Sequence, residues 1–94
     1  MARKDDNIVY IGKKPTISYV SAIVMQLTSG QNEFRIKARG NLISKAVDVA
    51  EIIRNKFIQD AKIREVNIGT QEIEDDKKEK INVSFIEIVL AKGK

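Results

Sequence analysis

Hydrophobic and polar residues along the first half of the chain follow two different periods, which predict alternating strands and helices. The apolar run over residues 8–11, ended by Gly12, is typical of a buried strand. Apolar side chains then recur every three or four positions over residues 15–28, which predicts a helix that begins at Pro15. Residues 33–39 alternate between apolar and charged, as in a strand with one buried face.

The second half of the chain predicts one more helix and a long hairpin. Helical spacing covers residues 42–57, and Asn41 is expected to cap this helix at its N-terminus. Segments 62–73 and 80–90 are rich in Ile and Val and flank a charged turn over residues 74–79, which predicts two paired strands.

The last strand changes the parity of its apolar positions. Ile81 and Val83 share one parity with Phe85, whereas Ile86 and Ile88 follow the other. A β-bulge or burial on both faces is therefore expected near residues 85–86. Burial on both faces would fit a dimer interface.

The element order β-α-β-α-β-β predicts an α+β fold. It corresponds to a two-layer sandwich, with a mixed four-stranded sheet, two helices on one face and a long C-terminal hairpin. Residues 1–7 are polar and without pattern, which predicts a flexible N-terminal tail, and residues 8–92 are expected to form a single domain.

Composition removes several kinds of chemistry. The 94 residues include no Cys and no His, so disulfides, thiolate or imidazole metal ligands and Cys nucleophiles are excluded, and no cofactor is expected. Neither a bilayer-spanning apolar run nor a signal-peptide pattern is present, so we expect a soluble, cytoplasmic protein without a membrane partner.

The net charge of +4 is concentrated in the first half of the chain. Residues 1–45 contain eight Lys or Arg against three acidic residues, whereas residues 46–94 contain nine against ten. This asymmetry favours a polyanionic partner, although many basic domains have none.

Two basic segments coincide with predicted helix starts. Lys13 and Lys14 precede the first helix, where free backbone N–H groups and the helix dipole favour an anion. Arg39 and Lys45 flank the start of the second helix, where cations oppose the dipole, which suggests a function. The alternative is that these are simply exposed basic residues.

The strand over residues 33–39 carries three cations on its polar face: Arg35, Lys37 and Arg39. Such a face either contacts a polyanion or is merely solvated, and the sequence leaves both interpretations open. Arg39 is the most informative of the three, because the chain turns there toward the second helix and brings it near Lys13 and Lys14.

Acidic residues cluster around the hairpin turn, at Glu72, Glu74, Asp75, Asp76 and Glu79. A divalent metal could use such oxygen ligands, but the spacing matches no calcium loop and interleaved lysines oppose binding. A soluble hairpin tip is the favoured interpretation, and no metal site is predicted.

The five aromatic residues are scattered, so they do not form a platform for stacking bases. Core packing is predicted for Tyr10, Tyr19, Phe34 and Phe85. Phe57, at the end of the second helix, is expected to contact another subunit or dimer.

Four ordered segments of the chain are Ile11-Gly12-Lys13-Lys14-Pro15, Ile36-Lys37-Ala38-Arg39-Gly40, Ile43-Ser44-Lys45-Ala46-Val47-Asp48 and Ile53-Arg54-Asn55-Lys56-Phe57. Through them the chain, from about residue 7 to residue 92, specifically resembles the Alba family of archaeal chromatin proteins. The resemblance implies the fold of the C-terminal domain of translation initiation factor three. It also implies dimers, whether homodimers or heterodimers with a paralogue, whose hairpins extend like arms.

The resemblance also assigns roles to residues. Lys13 and Lys14 would contact the phosphate backbone with support from Arg39, and Lys13 matches a position of reversible acetylation, which implies an acetyltransferase or deacetylase as partner. Phe57 matches a contact between neighbouring dimers. Asn41 stands where the family often has a basic residue. The remaining candidate nucleic-acid contacts are Lys37, Lys45, Lys77, Lys78 and Lys80.

The expected function is that of a non-catalytic architectural protein. It would bind double-stranded DNA largely without sequence specificity, coat or compact the chromosome in the cytoplasm, assemble further on DNA, and also bind RNA. The alternatives are an RNA chaperone or ribonucleoprotein subunit, a metal-dependent nuclease that uses the hairpin carboxylates, and a purely structural dimerisation module.

Overall fold

The computed structural model describes residues 7–92. The predicted flexible tail therefore lies, for residues 1–6, outside the described residues. Four strands and two helices follow the predicted order: β1 (Ile8–Tyr10), α1 (Thr16–Thr28), β2 (Glu33–Arg39), α2 (Ile43–Ile52), β3 (Ala61–Glu74) and β4 (Lys80–Lys92).

The strands form one mixed sheet in the order β1-β2-β4-β3. β1 is parallel to β2, and the other two pairings are antiparallel. Both helices pack on one face, where Val20 and Ile23 of α1 contribute fully buried side chains to the same core as Ile36 of β2. Burying each such side chain contributes about 1.5–3 kcal/mol. The predicted α+β two-layer sandwich is confirmed.

The entry into α2 differs from the prediction. Gly40 adopts the left-handed φ of 61°, and the chain then forms a 3₁₀ turn over Gly40–Leu42 before α2 begins. Leu42 is the N-cap residue and makes no side-chain cap hydrogen bond with any described residue. The prediction that Asn41 caps this helix is therefore wrong, because the left-handed glycine places Asn41 inside the preceding turn.

The C-terminal end of the second helix widens into a π-helical turn over Ile53–Phe57. The amide of Ile58 donates to the carbonyl of Ile53 at 2.8 Å, the i+5 pattern of such a turn. The helical segment thus ends at Phe57, as predicted.

Of the two alternatives expected near residues 85–86, the bulge is wrong, because the pairing of the hairpin is regular there. The irregularity lies instead in β3 between Ile63 and Glu65, opposite Leu90 and Val89 of β4. Burial on both faces of β4 occurs nearby, since Ile88, Val89 and Leu90 are all buried.

β4 extends well beyond the strand beside it. Its pairing with β2 ends at Arg39 opposite Phe85, whereas its pairing with β3 continues to Glu74 opposite Lys80. Residues 70–84, which we call the arm, therefore project past the end of β2 by about 17 Å. Asp75 holds the tip, because its carboxylate accepts hydrogen bonds from the amides of Lys77 and Glu79, both at 2.9 Å.

Candidate nucleic-acid interface

The parallel pairing of β1 and β2 brings the two strand-to-helix connections to the same end of the sheet. The first connection, residues 11–15, is called the lysine loop here, and the second is the turn Gly40–Leu42. The arm leaves the sheet at this end too, since it continues from Phe85, the partner of Arg39. Gly40 lies against its base: a Cβ added there would be 3.6 Å from Cγ1 of Val83.

Side chains from both helices hold the lysine loop. The hydroxyl oxygen of Tyr19 in α1 accepts hydrogen bonds from the amides of Gly12 at 2.9 Å and Lys14 at 3.2 Å. Nζ of Lys45 in α2 donates to the carbonyls of Gly12 at 2.9 Å and Lys14 at 2.7 Å. Gly12 and Lys14 are therefore each held by both their backbone N–H and their backbone carbonyl.

Gly12 is needed for this close approach. A Cβ at position 12 would lie 3.2 Å from the Tyr19 hydroxyl, tighter than ordinary van der Waals contact. Nζ of Lys45 also lies 5.7 Å from the centroid of the Tyr19 ring, within range of a cation–π interaction.

The hydrogen bonds that Tyr19 and Lys45 make with the backbone of the lysine loop, which we call the clamp, leave the side chains of Lys13 and Lys14 exposed. They precede α1, whose N-cap residue Pro15 makes no side-chain cap hydrogen bond to any residue in the described range and whose first turn carries no acidic residue. An uncapped helix N-terminus and two ammonium groups together favour an anion. The amides of Gly12 and Lys14 already donate to Tyr19, so the lysine side chains and the helix start remain as the anion-binding groups.

Lys45 has a structural role that the sequence analysis did not predict. Its ammonium group is bonded to two backbone carbonyls of the loop and so supports it, while its contact with a phosphate stays a prediction. These bonds also explain how a cation is tolerated in the first turn of α2, where the helix dipole opposes it by about 0.3–1 kcal/mol.

The cations of β2 share the sheet face opposite the helices, as predicted, but a carboxylate lies among them. Oε2 of Glu87 in β4 is 3.2 Å from Nη1 of Arg35 and 3.8 Å from Nζ of Lys37. The other carboxylate oxygen accepts a hydrogen bond from Nδ2 of Asn67 at 2.9 Å. The hydrogen bond from Asn67, followed by that from Arg35 and the charge of Lys37, lowers the pKa of Glu87 below its ordinary value of 4.5.

The other candidate contacts are exposed and fall into two groups. Arg39 and Asn41 lie at the end of the sheet beside the lysine loop, although Asn41 does so without the predicted capping role. Lys77, Lys78 and Lys80 lie at the far end of the arm, and Lys78 has a left-handed φ of 64°. The structure thus gathers Lys13, Lys14, Arg39 and Asn41 at one end and holds the arm lysines at a distance.

The structure corrects one prediction about the aromatic residues. Tyr19 and Phe34 are buried and Phe85 is half-buried, but Tyr10 is 68% exposed, so its predicted core role is wrong. Tyr10 pairs with Lys37 and therefore lies on the sheet face opposite the helices, away from the core that the helices cover. Phe57 is 51% exposed, which leaves its predicted contact with another molecule available.

Two functional groups were missed by the sequence analysis: the hydroxyl of Tyr19 and the carboxylate of Glu87. Tyr19 fits the apolar stripe of α1, so nothing local distinguishes its hydroxyl. Glu87 did carry a signal, because it is the single acidic residue within the apolar run of residues 85–91. A buried strand rarely carries an unpaired carboxylate, so a cationic partner could have been inferred.

The geometry of the described residues gives no support to a metal-dependent nuclease. No three carboxylates within residues 7–92 converge so as to hold a metal ion. Asp75, the centre of the acidic cluster, has an oxygen committed to two amides of the turn. None of the helices formed by residues 7–92 is long and apolar enough to cross a membrane.

The clamp on the lysine loop predicts the behaviour of Tyr19→Phe. Loss of the hydroxyl removes the acceptor for two amides and is expected to raise their hydrogen-exchange rates about fivefold, the effect of roughly 1 kcal/mol. Exchange of Gly12 and Lys14, measured by NMR, checks this. Tyr10→Phe is the control, because no hydrogen bond joins its hydroxyl to the rest of the described chain. Unchanged exchange in Tyr19→Phe would contradict the clamp.

The lowered pKa of Glu87 predicts a pH-dependent stability. Since the pKa is lower in the folded state, the stabilisation is complete well above 4.5 and is lost as the pH falls through the folded-state value. Glu87→Gln is expected to cost about 1 kcal/mol at neutral pH and to flatten the acid limb of the stability curve. Urea unfolding of both proteins from neutral to acid pH measures this. If the free energy of unfolding of the two proteins changes with pH in the same way, the partners of Glu87 do not stabilise its charged form.

The whole fold and sequence can be placed among known proteins. The family model described as Alba matches residues 7–70. The DNA/RNA-binding protein Alba of Methanocella arvoryzae is 49% identical over 92% of this chain and 90% of its own length, and that of Picrophilus torridus is 52% identical over 94% and 98%. The structure of Alba from Thermoplasma volcanium superposes with a TM-score of 0.86 at 52% identity, covering 90% of this chain and 99% of that one. The chain therefore belongs to the Alba family.

Proposed function

We propose that this protein binds nucleic acid through the end of the domain that carries the lysine loop, chiefly by contacts with the phosphate backbone of double-stranded DNA. One observation carries the proposal: two exposed lysines are held on a clamped loop, at an uncapped helix start, at the end from which the arm projects. The names of its relatives from Methanocella arvoryzae and Picrophilus torridus, DNA/RNA-binding protein Alba, support it.

The chemistry of this end favours binding without sequence readout. Lys13, Lys14 and Arg39 offer charge to phosphates, which position a protein on DNA but carry no sequence information. Asn41 can add a hydrogen bond to a phosphate oxygen. The arm extends about 17 Å beyond Arg39, so Lys77, Lys78 and Lys80 would reach a phosphate or groove edge away from the loop. The protein would then coat DNA as a non-catalytic architectural component of the chromosome in the cytoplasm.

Modification would act on the same charges. Acetylation of Lys13 by a partner enzyme would remove one of the two exposed loop charges without disturbing the clamp, because Tyr19 and Lys45 bind only the backbone of the loop.

RNA is the second candidate ligand, because the names of the relatives include it and the same cations attract any phosphate backbone. In that case the protein would act as an RNA chaperone or as a subunit of a ribonucleoprotein.

We also propose that two copies associate through the part of β3 that lies on the helix-bearing face of the sheet but is not covered by the helices. On β3, Val66 and Ile68 lie opposite the buried Ile88 and Ile86 and so share their face, yet they are 50% and 76% exposed. The π-helical turn that carries Phe57 contacts the same strand. Exposed apolar strips of this kind mark association sites, and a second copy or a paralogue supplies a matching strip.

Ile68→Asp tests this association. A charge in the strip is expected to raise the dissociation constant of the dimer at least a hundredfold, because an unpaired carboxylate would be buried there. Sedimentation velocity over a dilution series measures it. Met25→Asp is the control, since Met25 is 69% exposed on α1, away from the strip. A monomeric wild type, or equal effects of the two substitutions, would contradict this interface.

The double substitution Lys13→Ala/Lys14→Ala tests the proposed interface at Lys13, Lys14, Arg39 and Asn41, which we call the binding end. The double variant is expected to lose about tenfold or more in affinity for random-sequence duplex DNA, and its log–log salt slope should become shallower by roughly 0.9 per lost phosphate contact. Gel-shift titrations at two salt concentrations, on duplex DNA and on a structured RNA, measure both quantities and rank the two ligands.

Lys62→Ala/Lys92→Ala is the matched control. It removes the same charge from the opposite end of the sheet, since Lys62 and Lys92 lie where β3 begins and β4 ends. If the two double variants weaken binding equally, only net charge matters and the loop is not the contact. If neither changes the affinity of a wild type that binds, the interface lies elsewhere.

A further inference from the structure

A groove next to the binding end lies mostly over the outer sheet face, opposite the helices, and extends around the end of the sheet to Ile11 and Leu42. Its volume is about 610 Å³, within the roughly 300–1,000 Å³ typical of small-ligand pockets. Tyr10 and Phe85 stand on either side, and Lys37 and Arg39 lie between them on β2. Gln71, at the base of the arm, also lines the groove.

The two aromatic side chains are placed unlike core residues. Tyr10 is 68% exposed although it is large and partly apolar. The ring of Phe85 lies across Gly69, with its tip 2.8 Å from where a Cβ at position 69 would stand, so only glycine leaves room for the ring to lie there. β1 and β4 are separated by β2, so the two rings stand on strands about 10 Å apart. A planar base has room to enter between them.

Of the two cations in the groove, Lys37 is paired with Glu87, whereas Arg39 forms no ion pair with any residue in the range 7–92. Both oxygens of Glu87 are already engaged, one by Arg35 and Lys37 and the other by Asn67. Nζ of Lys37 lies over the Tyr10 ring, 5.9 Å from its centroid, so a base that stacks on this ring takes the place of the ammonium group, which turns toward the phosphate. Arg39 is exposed and belongs to both the groove and the binding end. A nucleic-acid strand bound at the lysine loop can therefore continue into the groove without meeting an unpaired carboxylate there.

We propose that this groove binds an unpaired nucleotide of single-stranded RNA or DNA, with its base stacked on Tyr10 and its phosphate on Arg39. The proposal rests on the proposed function and extends it to a second class of substrate. Stacking needs a free base face, which a single strand offers and the interior of a duplex does not. Aromatic side chains beside cations on an open sheet face supply both halves of such a site.

Binding of fluorescein-labelled oligouridine, which forms no secondary structure, tests the groove in the full chain. Tyr10→Leu is expected to weaken this binding about tenfold, the loss of one base–aromatic stack, whereas Tyr10→Trp retains or increases it. Binding of random-sequence duplex DNA should change less than twofold in both variants. Because Tyr10 is an exposed residue on an edge strand, both variants should fold, which circular dichroism verifies.

Tyrosine fluorescence gives a second readout. The chain contains no Trp and only two Tyr, of which Tyr19 is buried. Unlabelled oligouridine should therefore quench the emission of the wild type, by stacking on Tyr10, and leave that of Tyr10→Leu unchanged.

The outcomes separate this inference from the function on which it rests. If the wild type binds duplex DNA but Tyr10→Leu binds oligouridine as tightly and no quenching occurs, the groove assignment is overturned and the duplex interface stands. If Tyr10→Leu weakens duplex and single-strand binding equally, Tyr10 supports the domain and does not stack. If the wild type binds neither ligand, the proposed function and the groove both fail.

Discussion

The parallel pairing of β1 with β2 is the constraint on which the arrangement of this molecule depends. Since both strands run the same way, both helices must begin at the same end of the sheet, and the lysine loop and the turn before α2 meet there. The antiparallel pairing of β4 with β2 then sends the arm out from this same end. Three separate stretches of chain thus converge, although they are far apart in sequence.

Polar groups with fixed partners keep the basic residues of this surface in place. Lys45 and Tyr19 fix the backbone of the lysine loop, so its exposed ammonium groups are presented without the entropic cost of ordering the loop on binding. On the outer face Glu87 plays a comparable part, because it neutralises some of the repulsion among the cations of β2. One carboxylate thereby stabilises a face whose cations repel one another.

The binding end and the outer groove share Arg39, so the two surfaces form one continuous basic path. Duplex and single-stranded ligands would then compete for that residue while using different neighbours: the lysine loop for phosphates and Tyr10 for a base. The exposed strip of β3 lies on the other face of the sheet from the groove, so the proposed association of two copies would leave the groove uncovered.

The sequence by itself determined the elements and most of the charged candidates. Periodicity reports which side chains are apolar and at what spacing, so it located the helices, the strands and Lys13, Lys14 and Arg39 at the helix starts. Only the tertiary structure decided how these residues are used. Lys45 supports the lysine loop because the packing of α1 and α2 brings it to the carbonyl of Lys14, 31 residues away in sequence. Tyr10 became a surface residue because β1 lies at the sheet edge and turns it away from the helices. Asn41 lost its capping role to the left-handed turn at Gly40. The first two depend on which chain segments meet in space, and the third on a local backbone turn that lies against Val83 of the arm. A pattern of residue types along one strand or helix records neither.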